Sequence, residues 1–379
     1  AFRAGDRVAC AGAELAVHAG YVCVPELLCS KTPDAVSSED AAYTTVGCVA
    51  MNGVRQAGVT YGERVLVIGL GLIGRITVQL LQASGCLVAG VDVSQGAVDG
   101  AHEGGCDLAL TAGTPGLEAH LMAFTEGAGF DAVIITAGAP DNAPFVLAGA
   151  VARDRARVVL VGATPMDIPR SPYYEKELEV VLSRSYGPGR YDASYEVHGH
   201  DYPIGYVRWT EGRNFDAFLN LIAERRLDLD LLTTHTFDVA DAAKAYEVIT
   251  GKTSERFIGV LIRYPDADAV PVRRIDLRPR HAAASAKCVL GVIGAGNYAQ
   301  AMLLPHLKGR ADVALQVVAT GSGVTARKVA ERSGFAVAAS DPMEVLEDKA
   351  VNAVLIATRH HLHARYTIEA LRRGKAVFV

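Results

Sequence analysis

Val65-Leu66-Val67-Ile68-Gly69-Leu70-Gly71-Leu72-Ile73-Gly74 is the stretch on which the fold turns. An apolar run of strand length enters a turn carrying three glycines, after which Ile73, Ile76 and Leu80 recur at helical spacing as far as Gly85. The reading is strand, glycine turn, helix. A second strand, residues 87–91, stops at Asp92, and two more apolar strands, residues 131–136 and 157–161, follow at crossover distance. Strands alternating with helices imply a parallel, doubly wound sheet, so the fold class is α/β.

A turn of this kind has a chemical use. The pyrophosphate of a dinucleotide needs bare backbone amides at the positive end of a helix, with no side chain in the way. Gly69 permits the tight turn, Gly71 the close approach and Gly74 the packing of helix on strand, while Leu72 and Ile73 supply the first amides of the helix. Asp92 lies where it can accept both hydroxyls of the adenosine ribose, and a phosphate on that ribose would meet its carboxylate, so NAD is expected here. Thr136, Gly138 and Gly162, at the ends of the later strands, complete the cofactor-lining candidates. A glycine turn alone can be purely steric; the strand before it, the helix after it and the acid beyond decide for binding.

Downstream, residues 183–213 change character to Tyr, Gly, His and Arg and read as a long cover segment after a strand whose end faces the cofactor cleft. Rings with hydroxyls suit polyols or sugars, which makes Tyr186 a catalytic candidate and Arg190, Tyr191 and Tyr202 substrate candidates; the bland alternative is a packing or oligomer surface. An amphipathic helix (214–225), a strand (233–239) and a helix (241–250) follow, and the domain closes at Tyr264. Residues 265–287 show no sustained periodicity and read as linker.

The pattern then restarts. Residues 289–293 form a strand leading into Gly294-Ala295-Gly296-Asn297-Tyr298-Ala299, where alanine replaces the third glycine, and residues 314–319 form the next strand. No acid ends that strand: Thr320-Gly321-Ser322 offers hydroxyls, with Arg327 and Lys328 nearby, so NAD and NADP stay open. A helix (325–333) closes at Gly334, Asp341 and Glu344 are placed for a capping box, and a strand (353–357) runs into Thr358-Arg359-His360-His361-Leu362-His363. The cofactor candidates of this unit are Gly294, Gly296, Asn297, Tyr298, Thr320, Thr358 and His363, the last also a catalytic candidate. Without an accompanying carboxylate or cysteine the three histidines read as a cofactor-proximal loop, not a metal site.

Half of the 379 residues are hydrophobic and 21% charged, and the formal net charge of -5 gives no basic footprint for nucleic acid. The longest apolar runs are roughly half what a membrane-crossing helix needs. The seven cysteines form no CxxC pairs, fit reduced thiols in a cytoplasmic protein and read mostly as core filler. Asp99, His102, Glu103 and Cys106 read as a solvated helix face. The chain opens at Ala1 without Met or a leader and ends on an apolar run, residues 376–379, that reads as a strand cut short, so truncation is expected at both ends.

Gly5-Asp6-Arg7-Val8, residues 18–25, a helix over 41–57, the stretch 62–74 and the tail 218–250 together resemble the medium-chain dehydrogenase/reductase family, over residues 1–264. The resemblance implies a GroES-like catalytic region lying mainly before the Rossmann unit and here only partial. Zinc-dependent members carry a ligand cysteine that falls on Thr44 or Thr45, and the cysteines of the structural zinc lobe have no counterpart; a zinc-free, quinone-reductase-like version is implied, with His18 a surface or packing residue. Residues 289–379 resemble the Rossmann half of the glucose-fructose oxidoreductase and inositol dehydrogenase family. Its Thr-Pro-Asn-x-x-His motif keeps Thr358 and His363 but has Arg359 and His360 where Pro and Asn stand, and its acid/base lysine would follow residue 379. The combination, with Tyr173 to Leu178 and Ser185 to Tyr191, resembles bacterial bi-domain oxidoreductases associated with surface polysaccharide.

The expected organisation is therefore a partial GroES-like β region and connecting helix (1–55), a Rossmann domain (56–264), a linker (265–287) and a second, truncated Rossmann domain (288–379). The expected function is an NAD(P)-dependent oxidoreductase moving hydride to or from a small sugar-like or polyol substrate, as a homo-oligomer, with no nucleic acid, membrane or zinc. The competing expectation is a non-catalytic dinucleotide-binding sensor.

Overall fold

Two three-residue strands come first: β1 (Val8–Cys10) and β2 (Cys29–Lys31) pair antiparallel, with Cys10 opposite Cys29. The buried apolar runs then build a parallel sheet from β3 (Arg64–Ile68), β4 (Leu87–Asp92), β5 (Leu108–Thr111), β6 (Phe130–Ile135), β7 (Ala152–Leu160) and β8 (Glu179–Leu182), in the order β5-β4-β3-β6-β7-β8. Helices cover both faces, which is why the central strands β3, β4 and β6 carry no polar alternation, while the edge strand β8 is only partly buried. Val65 and Val67 join one core with Ile76, Leu80 and Phe218, while Leu66 and Ile68 join another with Val133, Phe145 and Leu160. β9 (Thr233–Asp238) and β10 (Gly259–Arg263) form a separate parallel pair.

The computed structural model describes residues 2–265, 273–277 and 288–379. Residues 1–266 and 267–379 are two units. The second contains β11 (Arg274–Asp276), β12 (Cys288–Ile293), β13 (Val313–Ala319), β14 (Val337–Ala339), β15 (Ala353–Ile356) and β16 (Ala376–Phe378), ordered β11-β14-β13-β12-β15-β16 with only β11 antiparallel. In each sheet the chain works outward from one strand and then returns across it: the order reverses between β3 and β6, and again between β12 and β15. Beyond the carboxyl ends of those strands lies the crevice where open α/β sheets take ligands.

Several sequence expectations need correction. The helix expected over 41–57 is two, Ser38–Ala41 and Thr44–Ala57, the first capped by Ser37, whose hydroxyl accepts from Asp40 N at 2.9 Å. The helix expected from 214 begins at Glu211, because Thr210 is its N-cap. Cys106 is buried, donating toward Val88 O and Leu108 O, and so belongs to the core while Asp99, His102 and Glu103 are exposed. Glu344 completes no capping box; it faces Arg274 at 3.6 Å, and Asp341 alone accepts from Met343 N. Within the stretch read as linker, residues 274–276 are an edge strand; residues 266–272 and 278–287 of that stretch lie outside the described residues.

Candidate functional site

The first glycine turn is held by its own backbone. Gly69 N donates to Val91 O at 2.8 Å, and the Thr136 hydroxyl donates to Gly69 O at 2.6 Å. Gly69 sits at φ +100°, and a Cβ there would lie 2.5 Å from Ala137 N; a Cβ on Gly74 would lie 1.8 Å from Gly69 O. Both glycines are therefore demanded by the protein's own packing. Gly71 is different. Its φ is −72°, open to any residue, and a Cβ there would meet nothing within 4 Å. It is the N-cap of the Leu72–Ala83 helix, so the space beside it is next to the amides of Leu72 and Ile73, which have no acceptor within their own helix. The cradle fits a dinucleotide pyrophosphate.

Asp92 closes β4 beside this turn. One carboxylate oxygen accepts from Leu70 N at 2.7 Å and the other from Ser94 N at 2.8 Å, which fixes the group against the turn with lone pairs to spare for ribose hydroxyls. Thr136 and Gly138 follow the end of β6, and Gly162 that of β7. Gly162 has a steric reason of its own, since a Cβ there would lie 2.1 Å from Ala137 O, whereas Gly138 is exposed.

The second turn repeats the division of labour. Gly294 stands at φ +86°, where a Cβ would meet Ala357 O at 2.6 Å, while a Cβ on Gly296 would meet nothing within 4 Å. Asn297 and Tyr298 are exposed at its rim, Ala299 is buried in the third position, and the helix that follows starts as a π-helical turn, Ala299–Leu303. Thr320 is buried, its hydroxyl donating to Ser322 O at 2.7 Å; Arg327 is paired with Glu331. His363 Nε2 donates to Thr358 O at 2.9 Å, so the two residues of the altered motif brace one another.

The cover segment is firmly seated. Asn52, on the Thr44–Ala57 helix, donates to Ser183 Oγ at 2.9 Å and to Ser185 O at 3.3 Å, and Arg55 bonds Asn214 and lies 3.5 Å from the ring centre of Trp209. The segment folds tightly: Ser185, Gly187, Gly189 and Tyr191 all take positive φ. It brings Tyr186, Arg190 and Tyr191 together, with the guanidinium 5.4 Å and 4.0 Å from the two ring centres. Tyr202 stacks on Tyr195, its hydroxyl donating to Asp192. Tyr186 is buried, and burial pushes its phenol up to about 12. Arg190 pairs with Glu196 at 2.6 Å.

Beneath them lies a residue that sequence reasoning passed over. Glu211 is 0% exposed, and neither carboxylate oxygen has a hydrogen-bond partner. Burial first, and then the neighbouring Glu196, push it up to about 8 against the pull of Arg190. Its only mark in the sequence was an acid directly after a threonine at a helix start, which reads as an ordinary exposed first turn.

Thr44 and Thr45 stand where a zinc ligand was considered. The Thr44 hydroxyl donates to Ala41 O at 2.7 Å, and neither residue offers a thiolate, so this position does not fit a zinc ion. Among the described residues no group of three His, Cys, Asp or Glu is placed to hold a metal, and no helix is long and apolar enough to cross a membrane.

Residues 73–197 match the zinc-binding dehydrogenase family, and residues 289–379 match the oxidoreductase family with the NAD-binding Rossmann fold. An uncharacterised zinc-type alcohol dehydrogenase-like protein of Escherichia coli (strain K12) is 25% identical over 246 residues, 64% of this chain and 62% of that protein. A D-guloside 3-dehydrogenase of Shigella flexneri is 34% identical over 120 residues, 31% of this chain and 34% of that one. A crystal structure of an Escherichia coli oxidoreductase/dehydrogenase of unknown specificity shares the fold with a TM-score of 0.54 at 22% identity, over 65% of this chain and 63% of that one. The chain thus spans less than two thirds of the relatives it matches. The two matches, one to a medium-chain dehydrogenase family and one to the oxidoreductase family with the NAD-binding Rossmann fold, fit a bi-domain oxidoreductase.

Proposed function

We propose that the first unit binds NAD(H) at the turn 69–74 and exchanges hydride with an alcohol or carbonyl carbon of a sugar-like or polyol substrate. The second unit holds NAD or NADP at its own turn, 294–299. The observation that carries this reading is the free space at Gly71, a glycine that nothing in the protein requires. Bound NAD supplies the carbon that gives or accepts hydride. The chain supplies position: the turn amides for the pyrophosphate, and Asp92 for the ribose, whose carboxylate disfavours a 2'-phosphate. Tyr186 stays protonated through neutral pH, which suits a phenol that donates to an oxygen as a carbonyl becomes an alcohol. In the second unit the His363 ring is oriented by its Nε2 bond to Thr358 O.

The sugar-like substrate class is supported by the D-guloside 3-dehydrogenase relative and by residues 173–178 and 185–191, whose resemblance lies with oxidoreductases of surface polysaccharide. The reading takes no zinc, because Thr44 and Thr45 offer it no ligand, and it places a homo-oligomer in the cytoplasm acting on a small molecule.

Calorimetric titration with NAD, coupled to an absorbance screen over polyols, aldehydes and sugar nucleotides, tests it. Asp92→Asn is expected to weaken NAD in the first unit about tenfold, or ~1.4 kcal/mol, and to narrow its preference over NADP. Tight NAD binding without turnover on any of these substrates favours the non-catalytic sensor, and absence of binding removes both readings.

A further inference from the structure

We propose that Cys10 and Cys29 are a redox modification site that closes into a reversible cross-strand disulfide. The two residues are direct partners in the β1–β2 ladder. Ala11 N donates to Leu28 O at 3.0 Å on one side and Thr32 N donates to Arg7 O at 2.9 Å on the other. Hydrogen-bonded pairs alternate along an antiparallel ladder, so Cys10 and Cys29 occupy a pair that shares no backbone bonds. In that class the Cα atoms stand ~4.5 Å apart with both side chains on one face, inside the ~4.4–6.8 Å that a disulfide spans.

Both thiols are free and half-buried, within reach of a small reagent. Cys29 donates to Pro25 O at 3.5 Å, a weak bond that it gives up on linking. Burial pushes its thiol up to about 11, with Cys10 and then Glu26 adding to the shift, and burial raises Cys10 too. Scarce thiolate makes the exchange slow without preventing it. None of the other cysteines shares a register with either: Cys48, Cys86 and Cys106 are buried in the core, Cys288 is in the second unit, and Cys23 is exposed on the connecting segment.

The oxidant is a small-molecule disulfide such as oxidised glutathione. The thiolate of one cysteine attacks it and releases one reduced glutathione; the second thiolate attacks the resulting mixed disulfide and releases another. The two cysteine protons pass to the two departing thiolates. Closure pins β1 to β2 and fixes the segment between them. Ser30, next to Cys29, donates to Asp216 on the Glu211–Ala223 helix, so the staple also stiffens the support of that helix.

The test uses the full chain carrying Cys23→Ser, incubated with oxidised glutathione and mapped by peptide mass spectrometry. The expected product has lost two hydrogens, links the Cys10 and Cys29 peptides, unfolds at higher temperature and reverts with dithiothreitol. Adding Cys29→Ser should leave a glutathione adduct on Cys10 with no rise in unfolding temperature. Separate glutathione adducts on both residues, untouched thiols after prolonged exposure, or linkage of either to another cysteine overturns the proposal. The same mapping on the unsubstituted chain gives the answer should a variant fail to fold.

Discussion

Glu211 has surroundings that its ionised form cannot tolerate. Its carboxyl is fully buried, neither oxygen has a partner, and the cation that acts on it, Arg190, is already bonded to Glu196. The start of a helix favours an anion there, but that contribution is at most ~2 kcal/mol. Burial wins, and the group is held neutral up to about pH 8. In the unfolded chain it ionises near its ordinary value of 4.5. Between those values the folded state binds the extra proton, so the stability that Glu211 allows is complete below about pH 4.5 and is lost as pH rises through about 8. Glu211→Gln removes that proton linkage. Urea unfolding followed by fluorescence of Trp209, the single tryptophan, should show the variant gaining on the parent from pH 5 to pH 8, by up to ~1.4 kcal/mol per unit. An unchanged difference across that range would mean that Glu211 titrates alike folded and unfolded. The placement of Gly71 and Asp92 beside one turn was legible in the sequence because it follows from spacing along one strand-turn-helix. Glu211 was not, because it sits at the end of the cover segment and is buried by the earlier part of that segment, around Pro188, Arg190 and Glu196, folding back over it.

At the scale of elements, the strands and helices with strong periodicity fall within a few residues of their expected positions, and those without it were invisible. β10 reads Gly-Val-Leu-Ile-Arg, too short to be told from the end of a helix-linked tail, and β11 is three residues, Arg-Ile-Asp, in a polar stretch. What makes β11 a strand is charge at its root. Arg274 reaches Asp348 at 2.9 Å, Asp276 at 3.4 Å and Glu344 at 3.6 Å, and Asp348 is almost fully buried. Burial pushes the Asp348 carboxyl up, but the bonds from Arg274 and from Ala350 N outweigh it and hold the group below its ordinary value. Its contribution is therefore present above the unfolded carboxylate range and is lost as pH falls through the depressed value. Arg274→Ala leaves the buried Asp348 carboxylate without its ion-pair partner, held only by the bonds from Ala350 N and Gln316, at a cost of up to ~3 kcal/mol to the second unit. Hydrogen exchange should then speed up in β14, the partner of β11, while the first unit keeps its protection. The Cys10–Cys29 pairing was hidden for a related reason: two three-residue strands separated by an irregular connection leave no local trace of register.

For the whole molecule, the two glycine turns make a statement about stoichiometry. Each unit has its own sheet, its own reversal of strand order and its own central glycine beside which a Cβ finds open space. Gly71→Ala and Gly296→Ala should therefore fold as the parent does, since the added methyl collides with nothing, and each should obstruct the approach of a pyrophosphate at one site only. Titrated with NAD, the parent is expected to take up two equivalents per chain if the second turn accepts NAD, and one if it is selective for NADP; NADP titration separates those cases. Gly71→Ala should remove the NAD-preferring event, the one that depends on Asp92, and Gly296→Ala the other. Unfolding temperatures without cofactor should stay within a degree or two of the parent, since a surface methyl is worth at most ~0.5 kcal/mol. Loss of both events from a single substitution would show that the turns do not bind independently, and loss of neither would put the dinucleotide somewhere other than these two bends.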